Sequence, residues 1–137
     1  MADTQTISLS DIPVRLALGV PEAERARLQD VLVSLSLTVE APPSPTRDDL
    51  AQTIDYDAII HFLHDGLPAE GPIQLIETVA DRIAAFVLSL SARIEAVEVR
   101  VKKPSVLAAP AMVSVSLTRH ADPARRRQGL SIAEGGR

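Results

Sequence analysis

The chain has no cysteine among its 137 residues. Disulfides, thiolate nucleophiles and cysteine metal sites are excluded. Aromatic residues are nearly missing: Phe62, Phe86 and Tyr56 are the full set. The core must therefore be aliphatic, and a lone tyrosine stands out against so bare a background. No apolar run approaches the roughly 18 residues of a membrane-spanning helix. The first residues, Met1-Ala2-Asp3-Thr4, show neither the basic start nor the apolar stretch of a signal peptide. The expectation is a cytoplasmic protein that does not engage a membrane. Positive charge is also short, with a net charge of -4. An acidic chain this poor in aromatics is a poor candidate for nucleic-acid binding. The basic cluster Arg125-Arg126-Arg127 lies in a polar tail and reads as solvated.

What is present suits one packed domain. Apolar residues make up 46% of the chain, and a chain of this length buries about two thirds of its unfolded surface. Residues 6–18 alternate as a half-buried strand. Ile7 and Leu9 keep one parity and Val14, Leu16 and Leu18 the other, with an irregularity at residues 11–13 where Pro13 cannot donate to a ladder. Residues 19–27 are charged, hold Gly19 and Pro21, and read as a loop. A second strand covers residues 28–40, with Val31, Val33, Leu35, Leu37 and Val39 on one face. The run Ala41-Pro42-Pro43-Ser44-Pro45 stops it. A helix is expected over residues 56–67, capped by Asp55, with Ile59, Ile60 and Leu63 inward. A longer helix is expected over residues 73–91, its stripe formed by Ile76, Val79, Ala80, Ile83, Val87 and Leu90. Two further strands follow, with Val97, Val99 and Val101, then Val113, Val115 and Leu117, inward.

The order is β-β-α-α-β-β. This is an α+β domain over residues 1–119, a four-stranded antiparallel sheet with two helices on one face. Residues 120–137 are expected to form a disordered tail. The face away from the helices carries Ser8, Ser10, Ser34, Ser36, Thr38, Ser114, Ser116 and Thr118. It suits either a solvated surface or the water-filled interior of a barrel closed from several sheets.

Few side chains offer chemistry. Lys103 continues the inward parity of Val97, Val99 and Val101. A buried ammonium is costly, so Lys103 either snorkels outward or meets a carboxylate in a pocket. Pro104 ends the ladder beside it. Glu77 falls in the first turns of the second helix, where a surface carboxylate favours the helix dipole. Buried, it would instead accept two hydrogen bonds from an amidine-like edge such as that of a pterin or guanine. Glu22 and Glu24 lie in a charged loop and would by default be solvated. Tyr56 would by default pack with its hydroxyl exposed. His61 and His64 share a helix face, but no third ligand is near them in the sequence, so no metal site is expected. Neither a phosphate loop nor a Gly-x-Ser-x-Gly elbow is present.

Four segments together resemble dihydroneopterin aldolases. They are Gly19-Val20 with Glu24-Arg25 and Gln29; Asp48-Asp49-Leu50 with Thr53-Ile54-Asp55-Tyr56; Leu75-Ile76-Glu77 with Asp81-Arg82-Ile83-Ala84; and Val99-Arg100-Val101-Lys102-Lys103-Pro104. The resemblance covers about residues 6–119. It implies the tunnelling fold, in which four sheets close into a barrel-shaped ring, and two rings stack into an octamer. It implies a lyase of folate biosynthesis that splits 7,8-dihydroneopterin into 6-hydroxymethyl-7,8-dihydropterin and glycolaldehyde, commonly with epimerisation at C2′. No cofactor and no metal is implied, because the pterin's own N5=C6 imine accepts the electrons.

By resemblance, Lys103 is the centre of proton transfer, and Glu24 holds Lys103 and the substrate diol. Tyr56 reaches in from a neighbouring subunit. Glu77 anchors the pterin with main-chain groups near Leu75 and Ile76, while Thr53, Ile54 and Asp55 line it from the neighbour. Asp55 departs from the His or small polar residue often found there. The stretch Leu16-Ala17-Leu18 lacks the aromatic and His residues of some members. To act as a base, Lys103 must be neutral part of the time; desolvation favours this and a close Glu24 opposes it. Three other functions fit parts of the pattern. A dihydroneopterin triphosphate epimerase would need a cationic patch for the triphosphate, with Arg15, Arg25, Arg27 and Lys102 as candidate contributors. A ring-forming module could bind pterins or purines without turnover. A metal-dependent pterin synthase would need a histidine cluster that the chain lacks.

Overall fold

The computed structural model describes residues 3–104 and 111–124. Four strands, β1 (Thr4–Ala17), β2 (Leu28–Glu40), β3 (Ile94–Pro104) and β4 (Met112–His120), form one antiparallel sheet in the order β1-β2-β3-β4. Between β1 and β2 the segment expected as a plain loop contains a single helical turn, α1 (Glu22–Arg25). Between β2 and β3 lie a 3-10 turn (Leu50–Gln52), α2 (Tyr56–His61), a π turn (Phe62–Gly66), the short α3 (Leu67–Ala69) and α4 (Ile76–Ser89). β4 runs to His120; Arg125-Arg126-Arg127 and the rest of the tail lie outside the described residues.

The parity switch in β1 has a physical cause. Leu9 pairs with Leu35 and Ile12 with Val33, so Ser10 and Asp11 together oppose Ser34. This is a β-bulge, and one inserted residue moves every later side chain to the opposite face. Asp11 takes a positive φ of 55°, and its N–H donates to Ser34 Oγ at 2.9 Å. The bulge therefore lets Ile7 and Leu9 face the core before it and Val14 and Leu16 after it.

Under the sheet, Val31, Val33, Leu35, Leu37, Val97, Val99 and Val101 meet Ile76, Val79, Ile83 and Val87 of α4, all buried. The scarcity of aromatics is met as expected by close aliphatic packing, and each such side chain stabilises by about 1.5–3 kcal/mol through burial. Phe62 and Phe86 stack with centroids 4.1 Å apart and join the two helical segments. Val113, expected inward, is exposed, because β4 is an edge strand and only Val115 and Leu117 reach the core.

Both helices depart from the expected bounds. The first is not one α-helix, since a π turn separates α2 from α3. Pro68 explains it: a proline in an α register lacks the N–H and collides with the carbonyl four residues back, and a wider turn before it relieves both. The second begins at Ile76 rather than 73. Ile73 instead adds a parallel bridge to Leu18, with its N–H on the Ala17 carbonyl at 2.9 Å and its carbonyl taking the Gly19 N–H at 3.0 Å. This bridge fixes the N-terminus of α4 against the end of β1. On the open face, the Ser8 and Ser36 hydroxyls lie 3.0 Å apart and Arg100 Nε donates to Ser116 Oγ at 3.2 Å.

Candidate active site

The finish of β1, the start of β2 and the finish of β3 meet at one end of the sheet. Lys103 arrives there by strand parity, one step past buried Val101, opposite Val113 of β4. Its side chain is 19% exposed, and Nζ lies 3.6 Å from Glu24 Oε2, whose side chain is 14% exposed. Lys103 thus meets a carboxylate and does not snorkel away, and Glu24 is not the solvated loop residue its neighbours suggest. At 3.6 Å the contact is an ion pair and too long for a good hydrogen bond.

The loop that carries Glu24 is held by side chains onto carbonyls. Arg25 Nη1 donates to the carbonyls of Gly19 at 3.0 Å and Val20 at 2.5 Å. Gln29 Nε2 donates to the carbonyls of Leu18 and, at 3.3 Å, of Glu24. Gly19 sits at φ +144°, and a Cβ on it would overlap the Glu24 side chain. The spacing Gly19, Glu24, Arg25, Gln29 therefore has a mechanical meaning: glycine makes room, arginine and glutamine clamp, and the glutamate is aimed at Lys103. These clamping roles are invisible in the linear sequence, where Arg25 looks like an ordinary loop residue and Gln29 like a polar residue at the start of a strand.

The N-terminus of α4 stands beside this pair through the Ile73 bridge. Ile76 is buried, whereas Leu75 and Glu77 are exposed in the single chain. The carboxylate buried by its own chain, one of the two readings of Glu77, is not what the fold builds. Val20, Leu28, Leu75, Met112 and Val113 are exposed large apolar residues. All five belong to this end of the sheet.

The tyrosine-bearing segment lies elsewhere. Gln52, only 8% exposed, is the buried polar side chain among the described residues. Its carbonyl accepts from Arg93 Nη1 at 3.0 Å, and the Arg93 carbonyl accepts the Glu40 N–H at 2.9 Å. Gln52 is thus tied to the end of β2 and the start of β3, about 30 Å of strand from Lys103. Thr53 is exposed, Ile54 buried, and Asp55 caps α2 as expected, its Oδ1 accepting the Asp57 N–H at 3.1 Å. Tyr56 is 50% exposed at the start of α2. From there the helical turns carry the chain roughly 20 Å toward Ile73 and the Lys103 end. Gln52, four residues before Tyr56, is thus anchored at the end of the sheet opposite Lys103.

His61 Nδ1 pairs with Asp65 at 3.2 Å, both exposed, and among the described residues no three His, Cys, Asp or Glu side chains converge. Of the four candidate contributors to a triphosphate patch, Arg25 is engaged by carbonyls and Arg15 pairs with Asp30 at 3.3 Å. No helix among the described residues is long and apolar enough to cross a membrane.

Known proteins agree with this architecture. The family model FolB, dihydroneopterin aldolase, matches residues 7–118. A dihydroneopterin aldolase of Streptomyces coelicolor is 35% identical over 72% of this chain and 81% of its own. A dihydroneopterin triphosphate 2'-epimerase of Pseudomonas aeruginosa is 27% identical over 83% of this chain and 91% of its own. The crystal structure of a dihydroneopterin aldolase from Burkholderia thailendensis bound to guanine superposes with a TM-score of 0.72 at 30% identity, covering 88% of this chain and 93% of that one. With a matching model over most of its length, a relative above 30% identity and the same fold, the chain belongs to the dihydroneopterin aldolase family.

Proposed function

We propose that this chain cleaves 7,8-dihydroneopterin by a retro-aldol reaction, without metal or Schiff base, at sites shared between neighbouring copies in a ring. The observation that carries the reading is the Lys103–Glu24 pair, held together by a clamped loop near the start of α4. Lys103, directly or through a water, takes the proton of the side-chain hydroxyl next to the bond that breaks. The C–C bond cleaves, its electrons enter the N5=C6 imine, and glycolaldehyde leaves. A proton then returns to the carbon left on the pterin, giving the hydroxymethyl product; Tyr56 is suited to supply it. Glu24 orients Lys103 and the diol. Glu77 accepts the pterin's amino and ring N–H groups, a charge-assisted bidentate contact, with the main chain at Leu75 and Ile76 beside it.

The anchoring of Gln52, four residues before Tyr56, at the end of the sheet opposite Lys103 supports a shared site. Head-to-tail contact between copies would bring the two ends together, and such contacts close into rings. Residues Thr53, Ile54 and Asp55 then line the pterin of the neighbour. The two open edges, β1 and β4, and the exposed apolar residues at the Lys103 end are what ring closure covers. The Ser/Thr face becomes the wall of the tunnel. A tetramer ring or a stacked octamer both meet this requirement. Cytoplasmic location is part of the same proposal, and epimerisation at C2′ is the side activity suggested by the likeness to the Pseudomonas aeruginosa epimerase.

The test is glycolaldehyde release from dihydroneopterin by purified, chelator-treated protein. Full activity is expected. Loss of activity on chelation, restored by zinc, overturns the metal-free mechanism. A covalent substrate adduct on Lys103, seen by mass spectrometry after reductive trapping, overturns the route without a Schiff base. Pterin binding with no turnover makes the protein a binding ring instead.

A further inference from the structure

Gln52 has no place in the chemistry just described, yet among the described residues it is the polar side chain that the fold buries. Burying an amide costs free energy unless its groups are hydrogen-bonded. Here they converge on one small region. Gln52 Oε1 accepts the Arg47 N–H at 3.2 Å, and the Gln52 carbonyl accepts Arg93 Nη1 at 3.0 Å. The Gln52 N–H donates to the Asp49 carbonyl at 3.0 Å. Arg93 is held in turn, its N–H on Ser91 Oγ at 3.1 Å and its carbonyl on the Glu40 N–H at 2.9 Å. Three stretches of chain meet at this residue: the loop at Arg47, the 3-10 turn, and the junction of β2 with β3.

The next residue, Thr53, is extended, with φ -130° and ψ -170°. From it the chain goes directly to buried Ile54, the Asp55 cap and Tyr56. The start of residues 53–56 is thus set by Gln52 and their end by the Ile54 contact and the helix cap. We propose that Gln52 and Arg93 are positioning residues, a latch that holds residues 53–56 in the place from which they complete the site of a neighbouring chain. This rests on the shared-site reading above. A plain stability role would make the latch matter equally to every part of the molecule. A positioning role makes it matter to the half-site that one chain lends to the next.

The distinction can be read by mixing variants. Gln52→Met keeps the volume and removes the acceptor; Arg93→Met leaves Gln52 in place and removes the donor to its carbonyl. Each should assemble and lose roughly tenfold to hundredfold in kcat/KM, the scale of a misplacement of about 1 Å. Each is then unfolded, mixed in equal amounts with Lys103→Ala or with Tyr56→Ala, and refolded. With Lys103→Ala, about a quarter of head-to-tail contacts join an intact Lys103 to an intact residues 53–56 segment, so activity should return to about that fraction of wild type. With Tyr56→Ala, every contact receives a damaged segment and no recovery is expected. Equal recovery with both partners, recovery with neither, full activity of both latch variants alone, or failure of both to assemble each overturns the proposal. The Lys103→Ala and Tyr56→Ala mixture reports separately on the parent reading. If it stays inactive while both variants assemble, the shared site and the latch fall together; if it recovers and the Gln52→Met and Arg93→Met mixtures do not, the latch alone is wrong.

Discussion

At the end of the sheet where β1 and β3 finish, polar contacts converge on two opposite charges, Glu24 and Lys103; at the end where β2 finishes and β3 begins, they converge on a neutral amide, Gln52. Both ends spend side-chain donors on loop carbonyls. Arg25 and Gln29 do so at the first, Arg93 at the second. The first end keeps ionisable groups half-sheltered and oriented, which is what proton transfer requires. The second keeps a backbone segment in place and presents an exposed tyrosine. One end carries the ionisable pair, while in the proposed ring the other lends a wall and a phenol to the neighbour's site.

Four substitutions probe this contrast. Lys103→Met should remove most turnover at the first end, lowering kcat on the order of 10²–10⁴-fold with glycolaldehyde release as the readout. A loss of less than tenfold would take proton transfer away from this residue. Glu77→Gln should act on affinity: exchanging an acceptor for a donor against the pterin's donors costs about 2–4 kcal/mol of binding. Unchanged pterin affinity by titration calorimetry would leave Glu77 a surface helix residue.

Gln29→Leu tests the clamp. The carbonyls of Leu18 and Glu24 lose their donor, and a part-buried group left unsatisfied costs about 1–3 kcal/mol in urea denaturation. Activity should fall with it, because Glu24 is no longer aimed; full activity at reduced stability would separate the clamp from the chemistry. At the second end, Asp55→Ala removes the cap of α2 and should cost about 1 kcal/mol. Thermal melting checks this, and a value near zero would mean that the Ile54 contact alone fixes the start of the helix.

Much of the fold was legible because strand parity is a rule with period two. The inward sets of β2 and β3, and therefore the inward arrival of Lys103, follow from counting. The change of parity in β1 marked its bulge for the same reason. Bounds within the helical region were less legible. Pro68 announced an interruption, but whether the chain answers with a kink, a stop or a π turn depends on the packing of Phe62 against Phe86 and of Leu63 and Leu67 in the core. Ile73 has the periodicity of a helix residue; its bridge to Leu18 depends on β1 ending beside it.

The sequence by itself determined which residues share a face, that the core is aliphatic, and that cysteine chemistry has no part in this protein. It also held the four segments by which the family is recognised. The resemblance implied that Glu24 holds Lys103; only the tertiary structure decided that a clamped loop brings it there, and that Gln52 is buried and tied to the opposite end of the sheet. Glu24 meets Lys103 and Arg93 meets the Gln52 carbonyl through space, and a contact between residues far apart in the chain leaves no period in the sequence.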